Sequence, residues 1–124
     1  MDASEFDEVE FFRALADSQA RVLVIGRKAL IMLGLPVATH DYDLWLHIDD
    51  IERLNAAVAP FEHYPNVSPV EARARGRYVL ENGEHIDVLL TRSRTTHKGE
   101  TLTFDDAWQR RERIELADGV SACV

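Results

Sequence analysis

Between Val22 and Ile48 the chain follows a pattern that few folds accommodate. An apolar run, Val22–Ile25, meets Gly26. A short apolar helix is predicted over Lys28–Leu33, a Gly-Leu-Pro break ends it, and a second strand starts near Asp41. Residues i and i+2 of a strand share a face, so Asp41, Asp43, Trp45 and His47 are expected on one side and Tyr42, Leu44, Leu46 and Ile48 on the other. One side suits a core and the other suits ions. Two carboxylates at that spacing repel each other unless a cation or a proton neutralises them. A divalent metal, its shell completed by water and phosphate oxygens, is the natural neutraliser. Taken alone, the Asp-Tyr-Asp triplet is weak evidence, because an ordinary acidic surface strand is the commoner source of such a pattern.

Length and charge narrow the partners. The 124 residues, 46% hydrophobic and 29% charged, fit one soluble domain over residues 1–124 with a single core. A formal charge of −8 opposes a general nucleic-acid coat or an anionic membrane surface, whereas a metal-bound nucleotide stays compatible. The one cysteine, Cys123, has no internal disulfide partner, which suits a reducing cytoplasm. No apolar run approaches the roughly 20 residues that span a bilayer, and the acidic N-terminus is unlike a signal peptide, so a cytoplasmic protein with no membrane partner is expected.

The remaining elements follow from periodicity and punctuation. Ser4–Gln19 reads as an amphipathic helix, with Ser4 and Asp7 as its capping box and Phe11 or Phe12 as packing. Asp49 or Asp50 caps a helix running to about Ala59, and Pro60 ends it. Phe61–Pro69 reads as a loop enclosing a short strand near Val67, with His63 solvated in it. Arg73, Arg75 and Arg77 alternate into Tyr78-Val79-Leu80. As a strand they line one face, either to receive phosphates or as solvated surface, the latter favoured for Arg73. Asn82-Gly83 is a hairpin signal, and in the strand His85–Leu90 the inward alternation of Ile86, Val88 and Leu90 leaves Asp87 on the opposite face. Thr91–Glu100 is polar, lacks periodicity and is expected to be a mobile loop near the acidic face. Thr103 with Asp106 caps a helix over Phe104–Arg110, and a last hairpin joins Ile114–Leu116 to Val120–Val124.

Gly26, Ala29, Leu30, Gly34, Thr39, Asp41, Asp43 and Leu44, in that order and spacing, resemble the core motif of the polymerase-beta-like nucleotidyltransferase superfamily. The similarity is to its small prokaryotic members, related to the toxin nucleotidyltransferases of abortive-infection and toxin–antitoxin systems. Two positions depart from that pattern: Arg27 stands where the family has Gly or Ser, and Val37 where it often has Arg. The resemblance implies an α/β (α+β) fold, a mixed and largely antiparallel sheet backed by helices. It implies transfer of a nucleoside monophosphate from an NTP to a hydroxyl, with release of pyrophosphate. Asp41 and Asp43 would bind Mg²⁺ (or Mn²⁺), and Asp87 would be the third carboxylate and the acceptor of the hydroxyl proton. Gly26, Arg27 and Lys28 would form the nucleotide-binding turn, with Arg27 either adding anion affinity or filling the pocket.

The acceptor, whether RNA, protein or small molecule, is open. Relatives commonly continue beyond this region with acceptor-recognising helices, so a second subunit in a homodimer, or a partner protein, is expected to complete the cleft. Two other readings compete. One is a catalytically weak binding module of antitoxin type, motivated by Arg27. The other is a metal-dependent phosphodiesterase or nuclease, which lacks the histidine-rich cluster it would need.

Overall fold

The alternating apolar residues of five short segments meet in one sheet, and the two faces of that sheet are covered differently. The computed structural model describes residues 8–32, 42–82, 84–95, 98–117 and 119–124. In chain order the elements begin with α1 (Glu8–Ser18), β1 (Val22–Ile25), α2 (Gly26–Met32) and β2 (Tyr42–Leu46). A 3₁₀ turn, Ile48–Asp50, leads into α3 (Ile51–Val58). The chain continues through β3 (Tyr64–Pro65), α4 (Pro69–Arg75), β4 (Arg77–Asn82) and β5 (Glu84–Leu89). It ends with β6 (Ser93–Thr95), β7 (Thr101–Thr103), α5 (Phe104–Gln109), β8 (Arg113–Ala117) and β9 (Val120–Cys123). The predicted Ser4–Asp7 capping box lies outside the described residues.

The sheet has the order β1-β2-β5-β4-β3. All its neighbours are antiparallel except β2 and β5, which are parallel, so the sheet is mixed and mostly antiparallel as expected. A parallel pair needs a long crossover. Here the crossover carries α3, β3, α4 and β4, and it brings Asp87 back beside Asp43. One face holds the main core: Val24, Tyr42, Leu44, Leu46, Tyr78, Leu80, Ile86 and Val88 pack against Phe11, Phe12 and Leu15 of α1 and Ile51, Leu54 and Val58 of α3. The hairpin β8–β9 adds Val120 and Ala122 to this cluster.

The other face is only half open. Leu23 and Trp45 join Phe104 in a second apolar cluster, roofed by Leu102, Ala107 and Trp108. The expectation that Trp45 shares an ion-facing surface is therefore corrected: it is 1% exposed. Its indole N–H donates to the Thr91 carbonyl at 2.6 Å, and its ring meets Phe104 edge-on at 5.3 Å. Alternation alone cannot say which end of a face a later segment covers. The segment responsible is the one expected to be an unstructured loop, for β6 and β7 form a hairpin tied down by the Phe104 N–H donating to the Arg92 carbonyl.

Arg73 and Arg75 stand on a helix, not on a strand. Ser68 accepts from the Glu71 N–H through its hydroxyl, Pro69 starts the helix, and Gly76 at φ +76° ends it with its N–H on the Ala72 carbonyl. The Ser-Pro-x-Glu signature was present in the sequence; the alternating arginines masked it. His63 is also corrected. It is buried with its ring 5.9 Å from that of Phe11, not solvated in a loop.

Tyr78 donates to Asn55 Oδ1 at 2.7 Å, and burial pushes its phenol well above the ordinary tyrosine range. Tyr78→Phe should therefore leave the amide oxygen without its protein donor and cost about 1 kcal/mol. The midpoint of urea unfolding measures this, and no change in midpoint would show that the bond contributes nothing.

Candidate active site

Asp43 is the second residue of β2 and Asp87 the fourth of β5. In the parallel ladder the two are direct partners, flanked by Ile25 of β1 on one side and Val79 of β4 on the other. Direct partners on adjacent strands share a face, about 4.8 Å apart along the hydrogen-bonding direction. Both acids are therefore presented to the open half of the face. Two residues along each strand, on the same face, lies a second row, Leu23, Trp45, Leu89 and Arg77. The acids and Arg77 line a cleft of about 280 Å³ together with Ile25, Gly26 and Arg94.

Gly26 is fitted to this cleft by two constraints. Its φ is +68°, a conformation L side chains rarely adopt, and a Cβ placed there would stand 2.7 Å from Asp43 Oδ2. The turn that starts α2 is thus pressed directly against the carboxylate. Arg27 and Lys28 occupy the first turn of α2, with side chains outside the described set. Asp41 lies outside the described residues altogether. The structure brings together Gly26, Asp43 and Asp87. It also adds Arg94, from the Thr91–Glu100 segment expected near the acidic face.

Trp45 explains that addition. The Arg94 guanidinium lies 5.5 Å from the centroid of the Trp45 ring, in cation–π range, and Trp45 is two residues along the strand from Asp43. His47, by contrast, leaves the acids. It sits with Nδ1 3.8 Å from Asp49 and Nε2 3.8 Å from Asp105, in a separate depression. A larger groove, about 370 Å³, runs between the end of α1 and the β8–β9 hairpin, but its described lining contains no carboxylate. Chemistry, not size, selects the smaller cleft.

Among the described residues no three His, Cys, Asp or Glu side chains converge as a ready metal cluster. Two adjacent carboxylates suit Mg²⁺ or Mn²⁺ nonetheless, since such ions take one or two protein carboxylates and fill the rest of their shell with water and phosphate oxygens. Among the described cleft residues the possible ligands are hard oxygens, with no thiolate or imidazole, which argues for this class of ion over zinc.

A mixed sheet that sets two acids side by side on its parallel pair, with a glycine turn against one of them, is the nucleotidyltransferase type of fold. The crystal structure of a candidate nucleotidyltransferase from Thermotoga maritima shares it, with a TM-score of 0.63 at 14% identity over 93% of this chain and 72% of that one. No protein-family model and no curated protein matches the sequence. No helix among the described residues is long and apolar enough to cross a membrane.

Proposed function

We propose that this chain is a metal-dependent nucleotidyltransferase, moving a nucleoside monophosphate from an NTP to a hydroxyl acceptor with release of pyrophosphate. One observation carries the reading: Asp43 and Asp87 are in-register partners on adjacent parallel strands, facing the same cleft as the Gly26 turn. Asp43 and Asp87, with Asp41, would hold Mg²⁺ or Mn²⁺. When bound, the ions neutralise the triphosphate and stabilise charge on the departing pyrophosphate. Asp87 accepts the proton of the attacking hydroxyl as its oxygen bonds to the α-phosphorus and the bond to the bridging oxygen breaks. The Gly26 turn, which has no side chain to intrude, lets the nucleotide approach Asp43, with Arg27 and Lys28 beside it. With donor and acceptor both seated on that face, in-line positioning would supply much of the rate.

The acceptor belongs to the same proposal as an open class: RNA, protein or small molecule. So do cytoplasmic placement and a second subunit or partner protein at the cleft.

The test is a calorimetric titration of a non-hydrolysable analogue of each NTP, with and without Mg²⁺, on wild type, Asp43→Asn and Asp87→Asn. Binding that requires Mg²⁺ and falls at least tenfold in either variant is expected. Wild-type protein that binds none of the four would overturn the enzyme reading in favour of a nucleotidyltransferase-like binding module, for example an antitoxin-type partner.

A further inference from the structure

Four of the described arginines are held in ion pairs. Arg13, Arg21, Arg73 and Arg75 each pair with a carboxylate, at Glu10, Asp50, Glu52 and Glu71 respectively. Arg77 and Arg94 line the acidic cleft, and among the described residues neither forms an ion pair with a carboxylate. What sets Arg77 and Arg94 apart from the other arginines is that they line the same cleft as Asp43 and Asp87.

Their placement is built. Arg77 lies diagonally across the β4–β5 ladder from Asp87, since Val79 is the residue opposite Asp87. Arg94 is opposite Leu102 in the β6–β7 hairpin. Cross-strand partners share a face, and Leu102 packs onto the Trp45–Phe104 cluster, so Arg94 is on the side of the hairpin turned toward the sheet. The Trp45 ring then supports the guanidinium from below. Trp45 is itself fixed by its bond to the Thr91 carbonyl, so the hairpin and the arginine are positioned together.

We infer that Arg77 and Arg94 form a two-point phosphate clamp along the row next to Asp43 and Asp87, with Trp45 as the residue that positions Arg94. Guanidinium groups suit phosphate because their planar donors match its oxygens. The ligand chemistry is a phosphate group, supplied either by the polyphosphate tail of the donor nucleotide or by a phosphate on the acceptor. The clamp rests on the proposed reaction for its purpose, but its binding can be measured without that reaction.

Inorganic tripolyphosphate would be titrated into the protein in EDTA, by calorimetry, using wild type, Arg77→Gln, Arg94→Gln and Arg92→Gln. Arg92→Gln removes the same charge from the same segment outside the cleft, so it reports non-specific attraction. Affinity is expected to fall about tenfold in each clamp variant and to stay unchanged in Arg92→Gln. In an Asp43→Asn background tripolyphosphate should bind more tightly than to wild type, because a repelling charge is gone. No binding in either background, or equal losses in all three arginine variants, would overturn the clamp.

A second arm repeats the titration with Mg²⁺ and a saturating NTP analogue. Competition assigns the clamp to the donor's tail; continued arginine-dependent binding of tripolyphosphate assigns it to the acceptor. An analogue that fails to bind while tripolyphosphate binds through both arginines would defeat the nucleotidyltransferase reading and leave the clamp standing.

Discussion

Gly26→Ala is expected to lower stability by about 1–2 kcal/mol from the left-handed backbone alone. The larger consequence is steric. The new methyl would stand 2.7 Å from Asp43 Oδ2, so either the carboxylate rotates away or the β1–α2 turn retreats. Both move one half of the acid pair relative to Asp87, and misplacement by about 1 Å is enough to cost about a hundredfold in rate. Thermal unfolding with and without Mg²⁺ separates the two effects. The variant should melt lower and lose most of the stability that Mg²⁺ is expected to add to wild type through the proposed site, since binding to the folded state alone stabilises it. A Gly26→Ala protein that melts lower yet keeps its full Mg²⁺ response would show that Asp43 is not constrained by the turn.

Arg21→Met is expected to cost about 1–3 kcal/mol, because the Arg21 side chain is half-exposed while the carboxylate it serves is buried. Asp50 is 3% exposed. It accepts from the Arg21 backbone N–H at 2.8 Å, from Nε at 2.8 Å and from Nη2 at 3.1 Å. Burial pushes the Asp50 carboxyl up, but the hydrogen bonds and charge of Arg21 outweigh it and hold the group below the ordinary aspartate range. Without the guanidinium a charged oxygen pair would remain buried on a single backbone donor.

The double variant Arg21→Met/Asp50→Asn should recover much of the loss, because an amide oxygen still serves that donor. The sign with pH follows from the depressed folded value: the pair's stabilisation is present above the unfolded carboxyl range and is lost as pH falls through the lower folded value. Urea midpoints measured from neutral pH downward should therefore converge for wild type and Arg21→Met. A gap that stays constant with pH would show that Arg21 acts through packing instead.

The same aspartate shows where sequence reasoning stops. Asp50 does stand at the start of α3, as a cap residue should, yet it makes no side-chain cap bond there. A distant arginine offers more than a helix N-terminus, and nothing local announces it. The His47 ring caps the preceding turn instead, accepting from the Asp49 N–H at 3.1 Å.

Features governed by neighbours in sequence were legible. The bounds of β1, the Asn82-Gly83 hairpin position and the Thr103 cap on the Asp106 N–H all follow from local rules. The common face of Asp43 and Asp87 was also foreseeable from alternation, though their in-register pairing was not, because a crossover of several elements sets it. Trp45 misled for the opposite reason. Its position in the alternation is right, but the roof over it comes from residues about sixty positions later in the chain. The segment carrying Arg94 was expected near the acidic face, but nothing local singled out that residue, since its support is an aromatic ring on another strand.

The parallel pairing of β2 with β5 also bears on how the molecule comes to have a site. Asp43 and Asp87 become neighbours only when the long crossover between their strands closes, so loop-closure entropy must be met before any reward from their contact. A chain still being made has two isolated acids and no cleft. A ligand held by both would lengthen the lifetime of the finished fold while doing little to hasten its assembly.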